Sequence, residues 1–243
     1  MSETLAELRL RLREARTVTV LTGAGVSAAS GVPTFRGEDG LWRKVRAETL
    51  ATREAFANDP KLVWEWYDWR RGMIAGVTPN DAHHVLARWT RERAGVTVIT
   101  QNVDGLHERA GTARVIRLHG SLWRVKCWSP CHEGAADWED LTVPFATLPP
   151  RCPHCGGFVR PAVVWFGESL DRRDLGAADA ATTCEVFLTV GTSALVHPAA
   201  GLVDTARRRG AFTVEINPNE TPASGRVDVT LRMPADEALR ALT

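Results

Sequence analysis

Apolar positions along the chain change period repeatedly, and the changes mark out alternating helices and strands. Residues 3–16 carry Leu5, Leu8 and Leu12 at i, i+3 and i+7, a helical stripe. Residues 17–22 (TVTVLT) then form a β-branched run of the kind buried on both faces of a sheet. Residues 50–74 read as helical, with Asn58 or Asp59 ahead of Pro60 as a start signal, since proline fits a helix's first turn. A break at Thr78-Pro79-Asn80 starts another helix, through about Arg93. Apolar runs at 96–99 and 115–118 are short enough for strands, as are 161–168 (PAVVWFGE), 185–193 (EVFLTVGTS), 212–217 (FTVEIN) and 227–231. A short helix from Asp236 closes the chain, and no repeat or low-complexity segment is present. Strands separated by helices predict an α/β fold with an open parallel sheet.

Polar residues cluster where these runs end. The run at 96–99 ends in Gln101, Asn102 and Asp104, and the run at 115–118 ends in His119-Gly120. Ligands of open parallel sheets bind at the carboxyl ends of strands, so an amide, a carboxylate and an imidazole are expected at one edge. The first strand runs into Gly23-Ala24-Gly25-Val26-Ser27-Ala28, which fits G-x-G-x-x-A, a turn that lets a pyrophosphate approach backbone at a helix N-terminus. A tight strand-to-helix turn satisfies the same pattern. The acidic residue that ends a second strand about 20 residues on in ordinary dinucleotide folds is missing. The nearest acids, Glu38 and Asp39, lie in a Gly- and Pro-containing loop, 30–40 (SGVPTFRGEDG), which also places Phe35 and Arg36 beside the phosphate position. The sequence therefore encodes a nucleotide site with unusual wiring, or none.

Composition narrows the class. The chain has 243 residues, 44% hydrophobic and 24% charged, which predicts one large soluble domain or one domain with a small insert. The net charge of +1 argues against nucleic acid or an anionic membrane as a general partner, and Arg207-Arg208-Arg209 reads as a solvated helix end. With no apolar signal region near the start and no stretch of about 20 apolar residues, a cytoplasmic protein is expected. In a reducing compartment, five cysteines point to metal before disulfides. Cys127 and Cys131, then 20 residues, then Cys152 and Cys155 come close to zinc-ribbon spacing. Four thiolates would close a structural tetrahedron. The first pair is one residue longer than the usual pattern, which leaves open whether Cys127, Cys131 or His132 completes it. Cys184 falls outside the pattern and reads as a packing residue. His83 and His84 are neighbours on a helix, do not face each other, and read as structural. Tyr67 and Arg70, at i and i+3, share a helix face. They form either a core seam with a snorkelling arginine or a phenol and guanidinium aimed together at an anion.

Taken together, GAGVSAASGVPTFRG, TQNVDGLH, RLHG, the two cysteine pairs, VVWFGE, VGTS and INPN occur in the order found in sirtuins, the NAD-dependent protein lysine deacylases. The chain resembles them over nearly its whole length. LATREAFANDP and Tyr67-x-x-Arg70 are similar to the branch that holds the mitochondrial desuccinylase of animals and its bacterial relatives. The resemblance implies a Rossmann-like parallel sheet with helices on both faces, plus a small zinc-ribbon and helical part. The large part would take about 1–36, 80–120 and 161–243, and the small part the insertions at about 37–79 and 121–160. NAD would be consumed as a co-substrate, with one structural zinc ion on Cys127, Cys131, Cys152 and Cys155. By the same resemblance, His119 is the general base and Asn102 orients ribose and water. The cofactor is bound by Gly23, Ala24, Gly25, Ser27, Phe35, Arg36, Trp42, Gln101, Asp104, Gly191, Thr192, Ser193, Asn217, Asn219 and Ala235. Val164, Trp165, Phe166 and Gly167 hold the peptide. Tyr67 and Arg70 bind the distal carboxylate of succinyl- or malonyl-lysine, in a pocket widened at Ala47 and Ala51. Acyl-lysine proteins are the implied substrates, acetyl groups included, for a monomer that binds neither nucleic acid nor membrane. Three rivals are a hydride-transferring dehydrogenase, an ADP-ribosyltransferase and a zinc-ribbon nucleic-acid binder. The missing ribose acid speaks against the first and the near-neutral charge against the last.

Overall fold

The computed structural model describes residues 2–34, 47–129, 131 and 137–243. Phe35, Arg36, Trp42, His132 and the side chain of Ala47 lie outside the described residues.

Six strands form one parallel sheet. They are β1 (Val18–Thr22), β2 (Val96–Thr100), β3 (Val115–Arg117), β7 (Val186–Val190), β8 (Phe212–Ile216) and β9 (Val229–Leu231), in the order β3-β2-β1-β7-β8-β9. The order reverses between β1 and β7, the switch point at which doubly wound sheets open a crevice at their carboxyl edge. Alternate residues of β1 and β7 feed two cores. Val18, Val20, Val186, Leu188 and Val190 face α1 (Ser2–Glu14), α5 (Asp81–Glu92) and α9 (Ala235–Ala241). Leu21 and Phe187 face α7 (Arg172–Ala181) and α8 (Leu202–Arg208). Burial on both faces explains the unbroken β-branched runs.

A second, antiparallel sheet has the order β5-β4-β6, from β4 (Gly120–Cys127), β5 (Trp138–Glu139) and β6 (Val159–Val163). It packs with the helices between β1 and β2 around a third core that holds Phe56, Val63, Trp64, Tyr67, Leu122, Val125 and Trp165.

Residues 50–74 are not one helix. They divide into α2 (Ala47–Leu50), α3 (Arg53–Asn58) and α4 (Pro60–Ala75). Thr52 and Asp59 leave helical geometry and accept from Ala55 N and Leu62 N, so each starts a new helix as its N-cap. The apolar stripe passes through both caps unbroken, which is why periodicity alone merges the three. The glycine turn also differs from expectation: it opens a 3-10 helix, Ala24–Ser30, rather than an α-helix. The strand expected at 161–168 ends at Val163, and the run before it, β4, was not anticipated. The remaining short helix is α6 (Leu106–Arg109). Among the described residues, no helix is long and apolar enough to cross a membrane.

Candidate active site

The site lies at the carboxyl edge of β1, β2 and β7. Gly23 N donates to Val190 O at 3.0 Å and Gly25 N to Gly191 O at 2.8 Å, which clamps the turn after β1 onto the end of β7. A Cβ at Gly23 would meet Thr192 at 2.7 Å, and one at Gly25 would meet Gly191 backbone at 2.8 Å. The two glycines are therefore required by backbone approach, whether or not a phosphate is bound.

From β2, Gln101 Nε2 donates to Thr192 Oγ1 at 2.9 Å, tying the edges of β2 and β7 together across β1. Asn102, almost fully buried, donates to Gly23 O and Ser27 Oγ. Asp104 is held at both oxygens, by Ser27 Oγ at 2.7 Å and Leu106 N at 2.9 Å. Its own carbonyl accepts from Trp123 Nε1 at 2.6 Å. His119 follows β3, and its Nδ1 lies 2.9 Å from Gln101 O. A carbonyl can only accept, so Nδ1 carries the proton and Nε2 keeps a free lone pair. Burial pushes the His119 pKa below its ordinary 6.5, and the Gln101 carbonyl opposes the shift only in part.

Farther along the edge, Asn217 Nδ2 donates to Thr192 O at 2.9 Å, and Asn219 N donates to Asn217 Oδ1. Gly191 takes φ +60 and a Cβ there would strike Val26 N, so Thr192 and Ser193 are held close against the glycine turn. Ala235 opens α9, its side chain buried in the core.

Tyr67 and Arg70, expected on the acyl side, sit on α4. Tyr67 is buried, and burial raises its pKa to about 12 despite Arg70 and Trp165 beside it. Arg70 is 5% exposed and lines a small cleft with Ala24, Ser27, Val32, Asn102, Val103 and Asp104. Of the stretch 164–167, Phe166 N is bonded to Ala51 O at 2.9 Å and its ring is exposed, while the Trp165 side chain is buried beneath Tyr67. Val164 N donates to His119 O at 3.0 Å, which joins this segment directly to the polar edge.

Two groups in the site escaped sequence reasoning. His83 is buried with Nε2 3.4 Å from Ser27 Oγ, and its Nδ1 accepts from Asn80 N at 3.3 Å. Its helix position gave no sign that it backs the glycine turn. Trp123 lies on β4, 19 residues from the Asp104 carbonyl it holds.

The four cysteines converge as well. One ligand atom from each of Cys127, Cys131, Cys152 and Cys155 lies within 4.8 Å of all the others, with Cys127 Sγ 3.5 Å from Cys131 Sγ. Tetrahedral zinc with bonds of about 2.3 Å spaces its sulfurs by roughly 3.8 Å, so the quartet fits a structural zinc ion. The extra residue in the first pair is absorbed, since Cys131 reaches the cluster. Cys184 stands apart and half-buried, beside the second sheet-face core.

The sequence pattern of the Sir2 family matches residues 23–198. This chain belongs to the Sir2 family. It is 48% identical over 224 residues to an NAD-dependent protein deacylase of Aquifex aeolicus strain VF5, covering 92% of each chain. A solved Sir2 homologue in complex with NAD superposes with a TM-score of 0.88 at 43% identity, covering all of this chain and 93% of that one. A Sir2 protein with a deacetylated p53 peptide and 3'-O-acetyl ADP-ribose superposes with a TM-score of 0.85 at 29% identity, over 98% and 96% of the two chains.

Proposed function

We propose that this Sir2-family chain is an NAD-dependent protein-lysine deacylase that removes succinyl and malonyl groups, and acetyl groups as well. The activity is supported by the named relatives and by the neighbours that hold NAD or a peptide with acetylated ADP-ribose. The acyl preference is carried by one observation. A buried guanidinium, Arg70, lines the same cleft as Asn102 and Asp104, and Tyr67 lies one turn before it on α4. The planar fork of the guanidinium suits the two oxygens of a carboxylate on the substrate.

The donor set fits NAD. Amides and hydroxyls of Gln101, Asn102, Thr192, Ser193 and Asn217 at the strand ends suit ribose hydroxyls, and the glycine turn presents backbone to a diphosphate. When bound, NAD supplies an activated ribosyl carbon, from which nicotinamide is released as the acyl group is transferred. His119 takes a proton at Nε2 from a ribose hydroxyl, with Nδ1–H anchored on Gln101 O. Asp104, fixed by Ser27 and Leu106 N, accepts from a carboxamide, and Asn102 orients the ribose and water. Along 164–167 the N–H groups of Val164, Trp165 and Phe166 are bonded within the chain, so main-chain pairing with the peptide runs through the carbonyls of this stretch. Gly23, Ala24 and Gly25 line the diphosphate, and Asn219 and Ala235 the adenosine end. We also propose a large part of about 1–36, 80–120 and 161–243 around the parallel sheet, with a small part from the two insertions.

The test is nicotinamide release from NAD with matched succinyl-lysine and acetyl-lysine peptides, for the wild type and Arg70→Met. The expected result is a succinyl-to-acetyl ratio of kcat/KM that falls by tenfold or more in Arg70→Met. Equal losses on both peptides would reduce Arg70 to a packing residue, and no release with either would defeat the deacylase reading.

A further inference from the structure

Trp165 and Tyr67 are both about 1% exposed, and the Trp165 indole Nε1 donates to Tyr67 Oη at 2.8 Å. An indole N–H can only donate, so the phenol oxygen is the acceptor in this bond and its own proton points elsewhere. Trp165 is itself held on several sides. The Arg160 guanidinium stacks 3.3 Å from its ring centroid, and Phe56 packs at 5.4 Å. Arg160 reaches both Glu168 oxygens, at 2.5 and 2.9 Å, and the Val163 carbonyl. Glu168 in turn accepts from Trp165 N at 2.9 Å. Burial works against that carboxylate, but Arg160 and Trp165 N hold its pKa down at about 2. The indole thus has one orientation.

We infer that Trp165 is a positioning residue for acyl selectivity: its indole N–H engages the Tyr67 oxygen and turns the Tyr67 O–H into a fixed donor for the distal carboxylate of an acidic acyl-lysine. The inference rests on the reading of Tyr67 and Arg70 given above. Trp165 acts through Tyr67, because its indole is buried against the phenol and its backbone is engaged by Glu168, Trp165 N donating to the carboxylate and Trp165 O accepting from Glu168 N. A tyrosine with its pKa near 12 keeps its proton at neutral pH, so the donor persists. A free phenol would have to be ordered by the substrate; a preset one removes that cost from binding.

The test uses Trp165→Phe, which keeps an aromatic ring and deletes the N–H, alongside Tyr67→Phe and the double variant. The succinyl-to-acetyl ratio of kcat/KM is expected to fall at least fivefold in each single variant, mainly through KM for the succinyl peptide. The double variant should fall no further than Tyr67→Phe alone. A ratio that falls in Tyr67→Phe and not in Trp165→Phe overturns the positioning role while leaving the acyl reading intact. A further equal fall in the double variant has the same meaning. A ratio unchanged in Tyr67→Phe overturns the inference, and unchanged in Arg70→Met as well it overturns the acyl reading itself. Tyr67 is the chain's single tyrosine, so wild-type protein labelled with 13Cζ-tyrosine gives one resonance, which is independent of whether the variants fold. It should move on adding the succinyl-lysine peptide and stay in place with the acetyl-lysine peptide; no movement with the succinyl peptide overturns the inference.

Discussion

At the scale of single residues, the site works by assigning each polar atom one role. His119 Nδ1–H donates a hydrogen bond to Gln101 O, which leaves the Nε2 lone pair for the proposed base. Only the neutral imidazole can accept a proton, and burial lowers its pKa, so the neutral form persists to more acid pH than in an exposed histidine. The acid limb of kcat/KM is therefore expected to lie below pH 6.5, and His119→Ala should remove turnover and that limb while the thermal midpoint holds. A limb at or above 6.5, or residual turnover with the same pH profile, would assign the base elsewhere. The inventory of Gln101, Asn102, Asp104 and His119 was legible because strand ends are marked by a change from β-branched to polar residues. Their partners were not. Ser27 meets Asp104 across 77 residues and Trp123 meets it from another sheet, and hydrogen bonds of that span leave no trace in local spacing.

Among elements, α5 shows how a cap can serve a site. Asn80 accepts from Ala82 N as an N-cap, and its amide also donates to Val26 O at 2.8 Å and Ser30 Oγ at 3.0 Å in the 3-10 turn. One side chain thus starts the helix and fastens the glycine turn. Asn80→Ala is expected to cost about 2 kcal/mol, at the upper end for a lost cap, or roughly 4–8 °C in Tm for a chain of this size. It should also raise KM for NAD. Asn80→Asp, which keeps the cap and loses the amide donor, should recover most of the stability and little of the KM. Recovery of both would limit Asn80 to capping. Thr78-Pro79-Asn80 announced the helix start, but the second set of bonds depends on how α5 packs on the turn. The split of residues 50–74 into three helices makes the complementary point: Asp59 before Pro60 signalled the start of α4 in the sequence, whereas Thr52 carries no such partner and its cap on Ala55 N shows only in the structure.

Across the whole molecule, two buried histidines make the fold sensitive to acid. His83 and His107 stack with ring centroids 4.9 Å apart behind the glycine turn. Burial lowers the His83 pKa to about 3, with His107 adding to the effect, and lowers His107 to about 4. Unfolded histidines bind protons below about 6.5, and these two resist until far lower. Between those limits the unfolded chain holds more protons at these two sites, so their contribution makes stability fall as pH drops from about 6.5 to about 3 and is level above that window. Urea unfolding at pH 7, 5.5 and 4.5 should show this decline, with a shallower slope in His107→Gln. A slope unaffected by His107→Gln would place the acid-sensitive groups elsewhere.

The linear sequence was sufficient for the α/β class, the strands of the parallel sheet, the polar edge and a cysteine-rich metal site. Each of these is written in short-range terms: a period of two or 3.6, a change of polarity at a strand end, or a ligand spacing of a few residues. The tertiary structure alone decided which of these pieces meet. It placed the end of β7 against the glycine turn, so Gly23 and Gly25 answer to Gly191 and Thr192 as much as to a nucleotide. It brought Cys131 into the metal cluster despite the long first spacing. It also laid Trp165, two residues past the end of β6, against Tyr67 of α4, 98 residues apart in the chain. Such contacts arise from the packing of finished elements, where distance along the chain has no bearing on distance in space.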